Sequence, residues 1–388
     1  MLTQLIDLND DLRRLKDEGY NISIVDGNLV IKGIPYVNKD KKILFGTIYC
    51  PLTLSGEKTV APQDHTVRFM GEHPCDQLGT ENNSFVNCAQ QHTLTDDIIG
   101  SYYFSSKPQS GSYTDFYAKM ARYVELLSAP AKSIDSSVSA QNFEYEFYSD
   151  FSVFKYPDTN AARAGLSHIS GRIKNQKVAI VGLGGTGAYV LDFVSKTPVK
   201  QISIFDGDQM FNHNAFRIPG TMTLDELIKK PSKVLYFKEK YEKFRDGIIA
   251  HDVFIDESNV VLLDEHDFVF IAIDKAEAKK VIIEHLMASK IPFVDLGMGI
   301  SVVNNSLRGT IRKTLITPED FSFLDKIAMG KTADEDIYSQ NIQISELNAL
   351  NAILGILAWK KLYGFYLSED ISYNSIFIID EEEIKNET

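Results

Sequence analysis

Residues 177–194, KVAIVGLGGTGAYVLDFV, set four glycines within six positions, between an apolar strand-like run and a helical pattern. A chain so bare can turn at positive φ there, and it lets a ligand lie against the peptide groups at a helix start. Strand, glycine turn and helix in that order open a nucleotide-binding α/β unit. Glycines that merely allow strand and helix to pack closely are the weaker reading, given those flanks.

From residue 177 onward, compact apolar runs (KVAIVGL, QISIFDGD, HDVFI, DFVFIAID, IPFVDLG) alternate with helical segments. That rhythm predicts a parallel sheet covered on both faces. A long helix is expected over ISELNALNAILGILAWKKLYGF, with Ser345 as its cap and Leu347, Leu350, Leu354 and Leu357 on one face. The last run, NSIFIID, reads as an edge strand.

The first half reads differently. ISIVDGNLVIKG and KKILFGTIYCPLTL are short strands broken by turn residues, as in an antiparallel meander. YTDFYAKMARYVELLSA carries Phe116, Met120, Tyr123, Val124 and Leu127 at helical spacing, and residues 129–142, APAKSIDSSVSAQN, read as a linker. With 388 residues the expectation is two domains. Residues 1–142 form a smaller α+β domain, and 143–388 an α/β domain with a mostly parallel sheet.

A net charge of −13 disfavours nucleic acid and anionic lipid as partners. There is no uninterrupted apolar run of membrane-spanning length, and MLTQLIDLNDDLRRLKDEG reads as an amphipathic helix rather than a leader. Three cysteines, Cys50, Cys75 and Cys88, do not make a secreted disulfide framework. A cytoplasmic location is expected.

Asp206 closes the next strand, 19 residues beyond Gly187, where an acid hydrogen-bonds a ribose hydroxyl. Both NAD(P) and ATP carry that ribose. FDGDQMFNHNAFR then supplies Asp208, Asn214 and Arg217, followed by Lys233 in KKPSKV and Asp274 in FIAIDKAEAK. Cations converging with a carboxylate suit attack on an α-phosphate beside Mg²⁺ better than they suit hydride transfer.

GLGGTG, DGD, NAFR, Lys233 and Asp274 occur in the order in which the ThiF/MoeB/HesA family, related to ubiquitin-activating enzymes, carries its motifs. The chain resembles that family over roughly residues 158–388. The resemblance implies a Rossmann-like adenylation domain. In it the loop of Gly182, Gly184, Gly185 and Gly187 lines the phosphates of ATP, Asp206 binds the ribose, Asp208 is a further nucleotide-binding residue, and Asn214, Arg217 and Lys233 contact phosphates. Lys230 competes with Lys233 for that role. Asp274 would bind Mg²⁺, and Arg163, in TNAARAGLSHI, would reach across a homodimer. The implied substrate is the C-terminal carboxylate of a ubiquitin-like or sulfur-carrier protein. Residues 143–388 contain no cysteine, which excludes the structural zinc of many relatives and a thioester-forming thiolate there.

In the first domain, His73, Pro74 and Cys75 follow a strand and resemble the strand and H-P-N turn that precede the active cysteine of ubiquitin-conjugating enzymes. That resemblance would make Cys75, or else Cys88, the acceptor for onward transfer. His73, Cys75, Cys88 and His92 are also a set of four candidate metal ligands. Three functions stay open: adenylation of a protein C-terminus, NAD-dependent oxidoreduction, and nucleotide binding without chemistry.

Overall fold

The structure, a computed structural model, describes residues 2–143, 152–156, 158–164, 166–329 and 342–387. It divides into two compact units, Met1–Gly171 and Arg172–Thr388.

The first unit begins with two helices, α1 (Leu2–Leu8) and α2 (Asp10–Asp17), where the sequence suggested one. The break falls at buried Asn9, whose Nδ2 donates to the carbonyls of Leu5 and Glu57, both at 2.8 Å. The strands β1 (Asn21–Val25), β2 (Asn28–Val37), β3 (Ile43–Pro51), β4 (Leu54–Ser55), β5 (Lys58–Thr59), β6 (Thr66–Met70), β7 (Val86–Thr95) and β8 (Ile98–Ser105) follow. Six of them make one antiparallel sheet, ordered β1-β2-β3-β6-β8-β7, while β4 and β5 form a separate ribbon. Asp26 and Gly27, with φ of 44° and 72°, supply the tight turn that joins β1 to β2.

Helix α3 (Phe116–Ile134) packs on β2 and buries Phe116, Met120, Tyr123, Val124 and Leu127, the stripe read from the sequence. It also absorbs the start of the expected linker. Ser128 and Ala131 are buried, and that packing carries the helix past Pro130. The short helices α4 (Thr159–Ala164) and α5 (Ser167–Gly171) complete this unit.

The second unit is built on β9 (Lys177–Val181), α6 (Gly185–Ser195), β10 (Gln201–Phe205), α7 (Asn212–Ala215), α8 (Leu224–Ile228), α9 (Lys233–Glu242), β11 (Ile248–His251), β12 (Phe268–Ile271), α10 (Ala276–Ala288), β13 (Phe293–Val303), β14 (Ser306–Ile316), α11 (Ser345–Leu362), β15 (Asn374–Ile378) and β16 (Glu383–Glu387). The eight strands lie in the order β11-β10-β9-β12-β13-β14-β15-β16. Pairings from β11 to β13 are parallel and the last three antiparallel. Parallel strands such as FVFI, and KVAIV beyond Lys177, are buried because helices cover both faces. Two expectations shift. The edge strand is β16 rather than NSIFIID, and HDVFI lies mostly beyond β11.

Helix α11 buries Asn348, Asn351, Leu354, Gly355, Ala358 and Trp359, whereas Leu357 is exposed and Leu347 and Leu350 are half-buried. The apolar spacing misled because α11 packs on both α6 and β13, where Asn348 bonds Thr186 and Asn351 bonds the Gly297 carbonyl. Ser345 lies inside the helix and makes no cap bond.

Space around the four glycines separates their roles. Gly182 takes φ +91°, and a Cβ there would sit 2.5 Å from the Ala272 carbonyl oxygen. A Cβ on Gly187 would collide with the Gly182 carbonyl, and one on Gly185 with the Asn348 carboxamide. Only Gly184 of the four has nothing closer than Gln343 Oε1 at 3.9 Å. Three of these positions are therefore bare for packing, and one is bare toward open space.

Gly185→Ala and Gly187→Ala are expected to destabilise the second unit by about 1–3 kcal/mol, as overpacking does. Gly184→Ala, at a φ of −70° that alanine accepts, is expected to stay within about 0.5 kcal/mol. Thermal melts of the three variants check this. Burial lowers Lys313 to about 8, with its Nζ donating to the Ser372 carbonyl. Between pH 8 and 10.5 the unfolded chain keeps a proton there that the folded chain lacks, so stability rises with pH across that window. Denaturant titrations of wild type against Lys313→Met should shift in favour of wild type by about 2–3 kcal/mol over that range.

Candidate functional site

Strand order runs outward from β9 to β10 and β11 on one side and to β12 and β13 on the other. The C-terminal ends of β9 and β12 thus mark a switch point, the place where open α/β sheets bind ligands. A cavity of about 500 Å³ opens there, and every described residue that lines it belongs to the second unit.

Its floor is the glycine turn. Gly182, Gly184, Gly185 and Thr186 line it, and Gly187 lies beneath, against the Gly182 carbonyl. The turn is held from two sides. Leu183 N–H donates to Asp206 Oδ2 at 2.7 Å, Gly185 N–H to Gln343 Oε1 at 3.3 Å, and Thr186 Oγ1 to Asn348 Oδ1 at 3.1 Å.

Asp206 follows β10 and is buried. Besides Leu183, its carboxylate accepts from Asp208 N–H at 2.9 Å, and Lys233 Nζ lies 3.3 Å away. Lys233 opens α9 and also pairs with Asp208 Oδ2 at 2.8 Å. All three line the cavity, so Lys233 is the lysine the fold brings in. Lys230 is exposed in the turn before α9, with φ of 46°.

Arg217 and Asp274 face the same cavity. Burial pulls the Arg217 guanidinium below its ordinary value and the Asp274 charge pushes back. Arg217 Nε is buried with no hydrogen-bond partner among the described residues. Asn214 has a different place from the one expected. It does not line the cavity, and its Oδ1 accepts from Phe211 N–H at 2.9 Å while its carbonyl accepts from Arg217 N–H at 3.0 Å. It shapes the α7 turn that presents Arg217.

Apolar walls complete one side: Phe205, Val253, Phe254, Ile255, Ile273 and Ile282. The other side was not read from the sequence. Arg312 on β14 and Lys279 on α10 both reach buried Asp295 on β13, at 2.7 Å each. Asp295 within the apolar run IPFVDLG, and Asn348 with Asn351 three apart in an apolar helix, were the available signals.

Arg163 belongs to α4, in the first unit, and its side chain lies outside the described residues. Cys75 does not fit the acceptor role. It is 2% exposed, its thiol is raised by burial and then by Glu81, Asp76 and Glu72, and its Sγ points to the His73 carbonyl. A nucleophilic thiolate needs nearby positive charge instead. Cys88 is exposed on β7, whereas His92 pairs with Tyr49 and His73 packs edge-on against Tyr102. Among the described residues no three His, Cys, Asp or Glu side chains come together as metal ligands, so the four-ligand reading falls.

No described helix is long and apolar enough to cross a membrane. Two family profiles match the chain: a domain of unknown function, DUF6791, over residues 10–159, and the ThiF family over residues 160–319. Solved structures similar to it include E. coli MccB with MccA-N7isoASN, at 17% identity and TM-score 0.46, covering 57% of this chain and 66% of that one. E. coli MccB with ATP matches at 17% identity and TM-score 0.46, over 57% and 65% of the two chains. PaaA matches at 17% identity and TM-score 0.45, over 56% and 74%. The chain thus spans just under two thirds of the length of the first of these. Residues 160–319, which hold the glycine turn, Asp206, Arg217, Lys233 and Asp274, are a ThiF-family domain.

Proposed function

We propose that the second unit binds ATP with Mg²⁺ and transfers its adenylyl group to the C-terminal carboxylate of a peptide or protein. The observation that carries this reading is the meeting, in one cavity, of Gly184, Asp206, Arg217, Lys233 and Asp274 with an apolar wall. The wall suits a purine. Asp206 has three partners already and faces Lys233 Nζ with both oxygens, so a ribose hydroxyl would share the acid with that lysine. The phosphates would lie along Gly184 at the start of α6, where the helix end favours negative charge. The orphaned Arg217 Nε is a donor that suits a phosphate oxygen.

A Mg²⁺ ion fits the donor set. It takes one or two carboxylates and completes its shell with phosphate oxygens and water, and Asp274 supplies one such carboxylate at the cavity. When bound, the ion would neutralise phosphate charge. In the reaction, a substrate carboxylate oxygen bonds to the α-phosphorus as the bond to the bridging α–β oxygen breaks. Pyrophosphate leaves with the electron pair and an acyl-adenylate remains. Arg217 would stabilise the charge that gathers on the phosphate oxygens.

The titles of the MccB structures pair that enzyme with ATP and with MccA, which supports a nucleotide and a peptide here too. A ubiquitin-like or sulfur-carrier partner, and a homodimeric enzyme, rest on the resemblance alone. Onward transfer through Cys75 is not part of the proposal, because its buried thiol has acids rather than cations around it.

Calorimetry should show binding of MgATP and none of NADH. ATP–pyrophosphate exchange supported by free-C-terminus peptides should fall about 10²–10³-fold in Arg217→Ala, the usual cost of losing a charge-stabilising donor. Asp274→Ala should abolish exchange at every Mg²⁺ concentration tested, with the fold intact by circular dichroism. Exchange that survives both changes would defeat the site assignment. Cys75→Ser should leave exchange within twofold of wild type, and a thioester trapped on Cys75 would reverse that conclusion.

A further inference from the structure

The triad opposite the glycine turn is overprovided with positive charge. Asp295 is fully buried, and one cation in good geometry neutralises a buried carboxylate. Lys279, itself buried, lies 2.7 Å from Asp295 Oδ1, a charge contact in which that oxygen accepts no hydrogen bond among the described residues. Arg312 adds a second cation at 2.7 Å through Nη2 alone, which leaves the cluster at a formal charge of +1.

Its placement supplies the second half of the argument. Arg312 lines the cavity and its side chain keeps 20% exposure, against 6% for Lys279, so the surplus faces the cavity. Directly across the ladder stands Gly297, where a Cβ would come 3.0 Å from Arg312 Nη2. The bare strand gives the guanidinium room over its partner. Asn351 Nδ2 donates to the Gly297 carbonyl at 3.2 Å, while Asn351 Oδ1 and Arg312 Nε are buried with no hydrogen-bond partner among the described residues. A guanidinium anchored on one edge by Asp295 retains N–H groups in the fork geometry that fits a carboxylate.

We propose that Arg312, anchored by Asp295 and backed by Lys279, receives a carboxylate of the acyl substrate and sets which peptide ends the enzyme accepts. This rests on the adenylation reading above. Bringing a carboxylate up to a triphosphate sets like charges together, and a positive group in the same cavity offsets that repulsion. The carboxylate is either the terminal one or that of an acidic side chain close to it, and both sources make the same contact.

The test uses the full chain in ATP–pyrophosphate exchange with pooled octapeptides bearing free C-termini, one pool lacking Asp and Glu and one carrying them in the last four positions. Arg312→Gln should raise the peptide KM tenfold or more while kcat, the KM for ATP and calorimetric MgATP affinity stay within about twofold. Arg312→Lys should recover part of the loss. Arg312→Gln is expected to fold, since Lys279 still pairs with Asp295, and its melting point verifies that. A KM penalty confined to the acidic pool identifies a side-chain carboxylate, and a penalty on both pools identifies the terminal one. An unchanged peptide KM, or one that changes only together with ATP affinity, overturns the proposal. Wild-type protein that fails to bind MgATP would instead overturn the adenylation reading beneath it.

Discussion

One buried carboxylate organises the nucleotide end of the cavity. Asp206 leaves β10 at 7% exposure and takes the Leu183 N–H of the glycine turn, the Asp208 N–H of its own turn and the ammonium of Lys233. Three chain segments that meet only in the folded sheet are thereby tied to one side chain. An ionised carboxylate is tolerated in such a place only when its acceptor positions are filled, so the three contacts are mutually required. The same bonds fix where the turn points and where α9 begins, since the Lys233 N–H also donates to the Asp208 carbonyl at 3.0 Å.

That dependence explains what was legible in the sequence. The parallel core showed in runs such as KVAIV and DFVFIAID, because burial on both faces leaves no polar alternation to obscure it. The order of glycine turn, Asp206, Arg217, Lys233 and Asp274 was also readable, and the fold brings all of them to one cavity. The purpose of each glycine was not. Gly182, Gly185 and Gly187 are bare because Ala272, Asn348 and the Gly182 carbonyl press on them, and those neighbours are far away in sequence or depend on exact helix packing. Phosphate approach and close packing ask for the same residue, so composition cannot separate them.

The α11 face and the first-unit linker went astray for a related reason. Leucine spacing on ISELNALNAILGILAW is consistent with more than one buried arc, and contact with α6 and β13 selects the arc that carries Asn348 and Asn351. Residues 129–134 look like a linker by composition, yet Ala131 and Ser128 pack inside the unit and keep them helical. Tertiary burial overrode local preference in both cases. In the first unit the sequence also overvalued cysteine. Cys50 sits fully buried with its Sγ 3.7 Å from Met120 Sδ, a packing role, and Cys75 lies among acids.

Charge around the cavity is arranged in poles rather than spread evenly. Asp206, Asp208 and Lys233 sum to −1, while Asp295, Lys279 and Arg312 sum to +1. Lys233 therefore arrives at the nucleotide end with its charge already shared between two acids. A triphosphate placed there must find most of its neutralisation elsewhere, from Arg217, from the amide groups at the start of α6 and from a metal ion that Asp274 would hold. The negative pole suits neutral ribose hydroxyls, which want acceptors. The positive pole lies among Gly297, Asn351 and Arg312, where no nucleotide-binding motif falls, and under the proposal above this asymmetry would seat the anionic acyl substrate apart from the acids that would take the ribose.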